Sequence, residues 1–215
     1  VRTDGEVDQA VEDAVRRGAN VIFTTTPKLL LSSVRQAALH PDVKILNCSL
    51  NTSYPSVRTY YPRLYGAKFI KGAIAGTLTR DGCIGYVADY PTYGSIASIN
   101  AFAQGARMVN ANARIYLDWA HLRDGGAVGR LQAQGIVYID YLAASTGTQM
   151  GNRHNLALIQ THWGRLYQSL VRRVMEGSWK QEDQGSSAVN YWWGMEQGVV
   201  SVLCSRRLPT GPRRL

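Results

Sequence analysis

Short apolar runs alternate with helical patterns along this 215-residue chain, and this alternation constrains the fold more than any other feature. Residues 20–26 and 43–48 are rich in β-branched and apolar side chains along their whole length, as strands are when helices cover both faces of a sheet. Between them, residues 28–39 have a helical pattern. Pro27 stands just before this segment at a first helical position, and Thr26 can cap the helix. The pattern predicts β-α-β units built around a parallel sheet.

The same alternation starts again after the turn at Asp81 and Gly82, which indicates a second lobe of similar architecture. Further strands are predicted at residues 83–88, 114–119, 136–140, 155–160 and 198–204, and further helices at residues 3–17, 63–79, 92–108, 126–134 and 163–175. Residues 143–154 lack periodicity and are rich in Gly, Ser, Thr and Asn, so a loop is predicted there. The first lobe is assigned to residues 1–81 and about 161–185, the second lobe to 82–160 and about 186–205, and a basic tail to 206–215.

The helix at residues 63–79 carries a stripe of small residues in which Gly72 and Gly76 have GxxxG spacing. That spacing marks a membrane dimer only within an apolar segment, and Lys68, Lys71 and Arg80 exclude such a setting. We therefore expect a helix whose small face packs on a sheet. No stretch approaches the roughly 20 apolar residues of a membrane span, so no transmembrane segment is predicted.

The charge balance is 24 Lys and Arg against 15 Asp and Glu, a formal net charge of +9. Such an excess raises the question of a nucleic-acid partner, but the basic residues are scattered, and their densest runs lie in the tail at residues 206–207 and 213–214. A solvated basic surface, which would include Lys68 and Lys71, explains this better, and nucleic acid is not expected as a partner.

Signatures of catalysis, of cofactor binding and of metal ligation are missing from the sequence. The three cysteines lie within or beside apolar runs, where free thiols act as small hydrophobic groups, so buried reduced thiols are predicted. We therefore expect a protein that is not an enzyme, with no catalytic residue, no metal and no cofactor.

Candidate ligand-binding residues follow from the rule that α/β sheets bind ligands outside the carboxyl ends of their strands. The predicted strand ends and their loops supply Thr25, Thr26, Ser49, Asp89, Tyr90 and Tyr93. Trp163 opens a predicted helix after a strand, and Trp192 lies in an unusual aromatic cluster at residues 190–195. This cluster is either a stacking platform for a planar ligand or a plug packed under the lobes, and both interpretations stay open.

The chain contains five further motifs, which are GANVIFTT at 18–25, YYPRLYGAKF at 60–69, GAIAG at 72–76, IGYVA at 84–88 and INAFAQGA at 99–106. In this order and spacing they resemble the basic membrane protein (BMP) family of ABC transporter substrate-binding proteins, which includes purine nucleoside receptors. The resemblance extends over about residues 1–209. It implies an α/β fold of the type I periplasmic-binding-protein kind, with two Rossmann-like lobes joined by a hinge and the family's first strand and helix expected upstream of Val1.

The resemblance also implies a function and further site residues. The expected function is a non-enzymatic solute-binding protein that holds a purine nucleoside, nucleobase or sugar in an interlobe cleft by hinge closure. Ser49 stands where nucleoside binders have an acidic residue, Thr161 stands near Trp163 where the family has Lys or Trp, and Tyr90 and Tyr93 match its second-lobe binding loop.

Localisation and partners follow in the same way. The family is extracytoplasmic, as a lipoprotein when a lipoprotein signal lies upstream, and a transporter permease is the expected partner besides the small-molecule ligand. Residues 190–195 and 204–209 are similar to a subgroup found in longer bacterial proteins. The alternative is therefore a cytoplasmic ligand-sensing regulatory domain.

Overall fold

The computed structural model describes residues 4–50, 54, 56–89, 93–121, 126–142, 144–149, 152–179 and 189–212. The strands are β1 (Val21–Thr24), β2 (Lys44–Cys48), β3 (Arg58–Pro62), β4 (Cys83–Ala88), β5 (Arg114–Trp119), β6 (Tyr138–Tyr141), β7 (Ala144–Gln149), β8 (Asn152–Thr161), β9 (Asn190–Trp193) and β10 (Val200–Cys204). The helices are α1 (Asp4–Arg16), α2 (Leu30–Leu39), α3 (Tyr65–Leu78), α4 (Tyr93–Val109), α5 (Ala127–Ala133) and α6 (Trp163–Met175). In this mixed α/β fold the predicted bounds of β4, β5 and α6 are confirmed. Among the described residues, no helix combines the length and the apolar character needed to cross a membrane.

The chain divides into two compact units. Unit 1 comprises Val1–Pro62 and Trp163–Trp193, and unit 2 comprises Arg63–His162 and Gly194–Leu215. This division differs from the one expected from the sequence, because α3 packs on α4 and so belongs to unit 2. The start of the expected tail also belongs to unit 2, where Leu208 is buried with Ile74 and Ala157.

The sheet of unit 1 is parallel throughout, in the order β1-β2-β3-β9. Ile45 packs with Val11 of α1 and Ala37 of α2 on one face of the sheet. On the other face, Phe23 contacts Tyr167 of α6, with ring centroids 4.9 Å apart. Since successive strand residues point to opposite faces, β1 and β2 are apolar on both sides, as the sequence predicted.

The entry into α2 follows the sequence prediction closely. Pro27 opens a short 3-10 turn, Pro27–Leu29, and α2 continues from it. Thr26 is the N-cap residue, and its Oγ1 accepts a hydrogen bond from the backbone N–H of Lys28 at 3.4 Å. The capping box predicted at the start of α1 involves Thr3, which lies outside the described residues.

The sheet of unit 2 has the order β10-β8-β7-β6-β4-β5. Only β4 pairs in parallel, with β5 and β6, whereas the β6-β7, β7-β8 and β8-β10 pairs are antiparallel. Tyr86 of β4 packs on Phe102 of α4 on one face, and Val87 packs with Leu131 of α5 on the other. β4 thus lies between β5 and β6 and is covered on both faces.

The loop predicted at residues 143–154 is wrong, because this segment contains β7 and the start of β8. A register shift between Ser145 and Thr146 interrupts the pairing of β7 with β8. Such a bulge breaks the period-2 alternation by which a strand is recognised in sequence. Gly147 fits the strand because a Cβ there would lie only 3.1 Å from Leu156 Cδ1 and 3.3 Å from Tyr138 Cε1.

The two glycines on the small face of α3 pack on another helix, whereas the sequence predicted packing on a sheet. Ala75 of the same stripe does pack on the sheet, against Ile84 and Tyr86 of β4. A Cβ at Gly72 would overlap the carbonyl oxygen of Phe102 in α4, and a Cβ at Gly105 of α4 would overlap the carbonyl oxygen of Phe69. The two helix backbones therefore approach more closely than any larger residue would permit.

The cysteines differ from the prediction of three buried thiols. Cys48 is buried, Cys83 is partly buried and Cys204 is exposed, and all three are free. Burial raises the pKa of the Cys48 thiol, which keeps it protonated. Cys204 is the last residue of β10, which is an edge strand of the sheet in the part of the chain that the structure describes.

We predict that Gly72→Ala lowers the free energy of unfolding by about 1–3 kcal/mol, because the added methyl group must push α3 and α4 apart. Gly129→Ala in α5 is the matched control, since a Cβ at that position meets nothing within 4 Å. The control should raise the free energy by roughly 0.5–1 kcal/mol through the better helix propensity of Ala. Urea denaturation measures both, and equal effects of the two variants would contradict the close helix contact.

Candidate ligand-binding site

The carboxyl ends of β1 and β2 in unit 1 are joined by a buried hydrogen-bond network. Asn47 Nδ2 donates to Thr24 Oγ1 at 2.8 Å and to the carbonyl oxygen of Thr26 at 3.0 Å. Thr24 Oγ1 also lies 2.8 Å from Ser33 Oγ of α2. These bonds fix the path of the chain as it leaves β1, so the position of the exposed Thr25 is set by its neighbours.

Two buried polar atoms at this edge have no hydrogen-bond partner among the described residues. They are Asn47 Oδ1 and Ser49 Oγ. Asn47 is fully buried and Ser49 is buried just after the end of β2. Because buried polar groups are nearly always satisfied in native proteins, these atoms mark a place where a polar partner is suited to bind.

An aromatic cluster lies next to this network in the same unit. Trp163 is the first residue of α6 and is 39% exposed, and it stacks on Tyr167 with ring centroids 5.9 Å apart and an interplanar angle of 22°. Tyr167 packs on Phe23 and Tyr60, and the Tyr60 hydroxyl donates to the carbonyl oxygen of Thr24 at 3.1 Å. The exposed indole is therefore held by a rigid aromatic base that is tied to the end of β1.

Burial is the main cause that raises the pKa of Tyr60, and its hydrogen bond with Tyr167 adds to the effect. Tyr60 thus remains a neutral donor to Thr24. None of the side chains named so far at the edge of unit 1 carries a charge. This edge is suited to a neutral, polar molecule with a planar part.

The cluster at residues 190–195 divides its roles between the two faces of β9. Tyr191 and Trp193 lie near the guanidinium of Arg173, at 5.8 and 5.6 Å from their ring centroids. The Tyr191 hydroxyl accepts a hydrogen bond from Arg58, whose guanidinium also lies 3.6 Å from the ring centroid of Trp179. Tyr191 and Trp193 therefore form a packed cation-π layer, which matches the structural interpretation for these two residues.

Trp192 points to the opposite face of β9, as alternation requires. Its side chain is partly buried, and its Nε1 is a buried donor without a hydrogen-bond partner among the described residues. Trp192 is therefore compatible with the ligand role predicted for it, which stays a prediction.

The site residues predicted in unit 2 are more dispersed. Asp89 follows β4, and its Oδ1 lies 3.0 Å from Nε2 of His121, with both side chains about half exposed. Thr161 ends β8, where it pairs with Val200. Tyr93 begins α4, and Tyr90 lies outside the described residues. Their roles as ligand contacts stay predictions.

A buried group of three charges lies at the carboxyl end of β6 in unit 2. Lys68 Nζ and Lys71 Nζ of α3 each lie 2.5 Å from a different carboxylate oxygen of Asp140. Ser145 Oγ donates to Asp140 Oδ1 at 2.9 Å, and Lys68 Nζ donates to the carbonyl oxygen of Leu142 at 2.5 Å. The side chains of Lys71 and Asp140 are completely buried and that of Lys68 is 6% exposed.

This charge triad contradicts the expectation that Lys68 and Lys71 belong to a solvated surface. Burial by itself would raise the pKa of Asp140, but the two neighbouring ammonium groups hold it below its usual range. Burial lowers the pKa of Lys71 to about 8, because the attraction of one carboxylate shared with Lys68 does not offset the loss of water. The triad contains two cations and one anion.

Several of these residues escaped the sequence prediction. The sequence predicts a helix at residues 163–175 but assigns no role to Tyr167, and it places Asn47 at a strand end without assigning a role to its amide. The burial of Lys68 and Lys71 does have a signal in the sequence, since they lie three positions apart within a helix whose other residues are mostly small or apolar. Among the described residues, no cluster of three His, Cys, Asp or Glu side chains is placed to hold a metal ion.

The fold is shared by solved structures of the periplasmic-binding-protein type. A solute-binding protein of an ABC transporter system from Conexibacter woesei superimposes with a TM-score of 0.70 at 12% identity, covering 99% of this chain and 79% of the other. A structure described as a transcriptional activator of the comK gene from Bacillus halodurans gives a TM-score of 0.75 at 18% identity, covering 100% and 81%. These similarities establish the fold.

The family is established by sequence. Residues 2–137 match the Bmp family, described as ABC transporter substrate-binding protein, PnrA-like, and the chain belongs to this family. A purine-binding protein of Brucella abortus (strain 2308) is 23% identical over 239 aligned positions that include the whole of this chain. The chain spans 66% of the length of that relative.

We predict that Asp140→Asn is the most damaging single change in the triad, lowering the free energy of unfolding by about 3–5 kcal/mol, because it leaves two buried cations without their anion. Lys71→Met should cost less, since Lys68 and Asp140 remain a balanced pair. Urea denaturation of both variants at neutral pH measures the difference. A larger loss in Lys71→Met would contradict the assignment of Asp140 as the shared anion.

The charge triad also predicts how the free energy of unfolding depends on pH. The unfolded chain binds the Lys71 proton up to about pH 10.4, whereas the folded protein releases it near pH 8. In this window the unfolded state holds more protons, so the contribution of Lys71 to the free energy of unfolding rises with pH. Subtracting the pH profile of Lys71→Met from that of the wild type should show this rise, and a difference that is flat with pH would contradict the lowered pKa.

Proposed function

We propose that this protein is the solute-binding component of an ABC transporter and that its solute is a purine nucleoside or nucleobase, bound without chemical change. The observation that carries the proposal is the half-exposed Trp163 indole, held on Tyr167 beside an uncharged polar edge. Membership of the Bmp family supports the class of protein. The purine-binding relative supports the class of solute.

The aromatic part of the proposed site accounts for a planar base. A heterocycle that stacks on an exposed aromatic side chain gains about 1–3 kcal/mol, with little dependence on its identity. Trp163 meets the geometric requirement because its own partner, Tyr167, already fixes the plane of the ring. Little side-chain entropy is then lost on binding, since the platform is organised in advance.

The polar part accounts for the edges of a base and for ribose hydroxyl groups. Asn47 Oδ1 can accept a hydrogen bond, and Ser49 Oγ can donate or accept one. A charged solute would have no counter-charge among the side chains that form this edge, and its desolvation would be costly. Neutral purines and nucleosides satisfy both conditions.

Among the residues predicted from the sequence, we assign stacking to Trp163 and polar contacts to Thr25, Thr26 and Ser49. Trp192 offers a further donor through Nε1. Contacts from Asp89, Tyr90, Tyr93 and Thr161 remain proposals that rest on the family resemblance. A permease partner and a location outside the cytoplasmic membrane are proposed on the same ground.

A regulatory function is the second candidate, and one observation favours it. The structure with the TM-score of 0.75 is described as a transcriptional activator, so proteins of this fold also serve in regulation. In that case the same site would sense a solute for a partner module. Transport is favoured because the family is described by substrate binding for ABC transporters.

We predict that adenosine, guanosine or hypoxanthine raises the melting temperature of the protein and that glucose does not. A ligand at 100 times its dissociation constant adds about 2.7 kcal/mol to the free energy of unfolding. Trp163→Ala should weaken binding in isothermal titration calorimetry by about ten- to a hundredfold, the equivalent of losing one stacking contact. Trp163→Phe should retain most of the affinity.

Leu39→Ala is the matched control, because Leu39 is 64% exposed and lies in the same unit at the end of α2 remote from this edge. The affinity of the Leu39→Ala variant for purines should equal that of the wild type. Purine binding that is unchanged in Trp163→Ala would reject the stacking site, and stabilisation by glucose alone would reject the purine class.

A further inference from the structure

Unit 2 contains a large pocket at the end of its sheet opposite to Asp89. The pocket has a volume of about 780 Å³ and is bordered by Cys83, the first residue of β4, and by Leu78, the last residue of α3. Its volume is in the range of sites that enclose small organic molecules. Neither the candidate edge of unit 1 nor the residues predicted as ligand contacts take part in it.

Somewhat more than half of the pocket wall is apolar. Leu78, Val137, Leu156 and Pro209 line it together with the ring of Tyr138. Leu78 and Leu156 continue into the core of the unit, where they pack near Ile74. An apolar or aromatic body can therefore be buried against a wall that is fixed by the fold.

Two arginines, Arg80 and Arg207, also line the pocket. Arg207 Nη1 donates to His154 Nδ1, 2.5 Å away, so the imidazole holds this guanidinium at the pocket. The pocket also has one carboxylate, Asp81, whose Oδ1 already accepts hydrogen bonds from the backbone N–H of Cys83 at 2.9 Å and from Thr79 Oγ1 at 3.0 Å. The side chains that line the pocket therefore present a net positive charge to a ligand.

The structure beneath the pocket adds to this positive charge. A small cavity of about 10 Å³ shares Leu78, Tyr138 and Leu156 with the pocket and is also lined by Lys71 and Asp140. Two members of the charge triad, which has two cations and one anion, therefore line a cavity that adjoins the pocket. In a region of low dielectric constant this excess favours an anion in the pocket.

We infer that this pocket binds a small organic monocarboxylate, with its apolar body against Leu78, Val137 and Leu156 and its carboxylate held by Arg80 and Arg207. Guanidinium groups match a carboxylate in geometry and charge. A single negative charge balances the two arginines and one aspartate that line the pocket. The apolar walls add affinity that an inorganic anion cannot gain. The inference is independent of the purine site.

Isothermal titration calorimetry with 2-naphthoate, 2-naphthalenemethanol and inorganic phosphate tests this inference on the full chain. The naphthoate should bind at least tenfold more tightly than the neutral alcohol of the same shape, and more tightly than phosphate. Equal binding of the alcohol would show that the arginines do not hold the carboxylate. Tighter binding of phosphate, or no binding of naphthoate, would overturn the inference.

Arg80→Gln and Arg207→Gln should each weaken naphthoate binding at least tenfold. Arg206→Gln is the matched control, because it changes the net charge by the same amount. Arg206 is exposed and does not line the pocket. Circular dichroism confirms that each variant is folded. An equal loss in Arg206→Gln would mean a diffuse charge effect, and unchanged binding in both pocket variants would locate the anion elsewhere.

Trp163→Ala separates this inference from the proposed function. Naphthoate affinity should be unchanged in that variant, and guanosine should not compete with naphthoate. Competition between the two ligands would overturn the assignment of a separate site. Failure of purines to bind would reject the proposed function and leave the anion pocket standing.

Discussion

The close contact of α3 with α4 is the constraint on which the rest of unit 2 depends. Gly72 and Gly105 allow each helix backbone to meet a carbonyl oxygen of the other helix directly. With α3 in this position, Lys68 and Lys71 reach Asp140 at the end of β6. The same placement of α3 forms the base of the pocket at its last residue, Leu78. One helix therefore links the core packing, the buried charges and the anion pocket.

Unit 1 differs from unit 2 in its chemistry, because the strand ends of unit 1 carry polar groups without charge. Asn47 satisfies Thr24 and Thr26 with its amide N–H groups and leaves its oxygen without a partner among the described residues. Tyr60 and Tyr167 support the indole of Trp163 from below. These features are matched to a neutral planar solute, whereas the arginine-lined pocket of unit 2 is matched to an anion. The two sites differ in the chemistry that each can recognise.

The sequence predicted the doubly covered strands, the cap at Thr26 and the bounds of β4, β5 and α6, because local periodicity and turn chemistry determine them. It missed β7, since the bulge at Ser145 hides the alternation and pairing with β6 and β8 supplies the stability. It placed Lys68 and Lys71 on the surface, because the carboxylate that compensates them is about 70 positions away in the chain. It proposes Trp163 as a ligand contact from its place at a helix start, but it assigns no role to Tyr167, on which the indole stacks. Local sequence patterns do not identify contacts between residues that are far apart in the chain.

The proposed function depends above all on a purine that stacks on the indole of Trp163. A crystal structure of the protein grown with guanosine tests this most directly, because it shows the position and orientation of the base. We expect a purine ring stacked parallel to the Trp163 indole, with polar contacts to Ser49 or Asn47. A guanosine bound without contact to Trp163, or bound only in the arginine-lined pocket of unit 2, would contradict it.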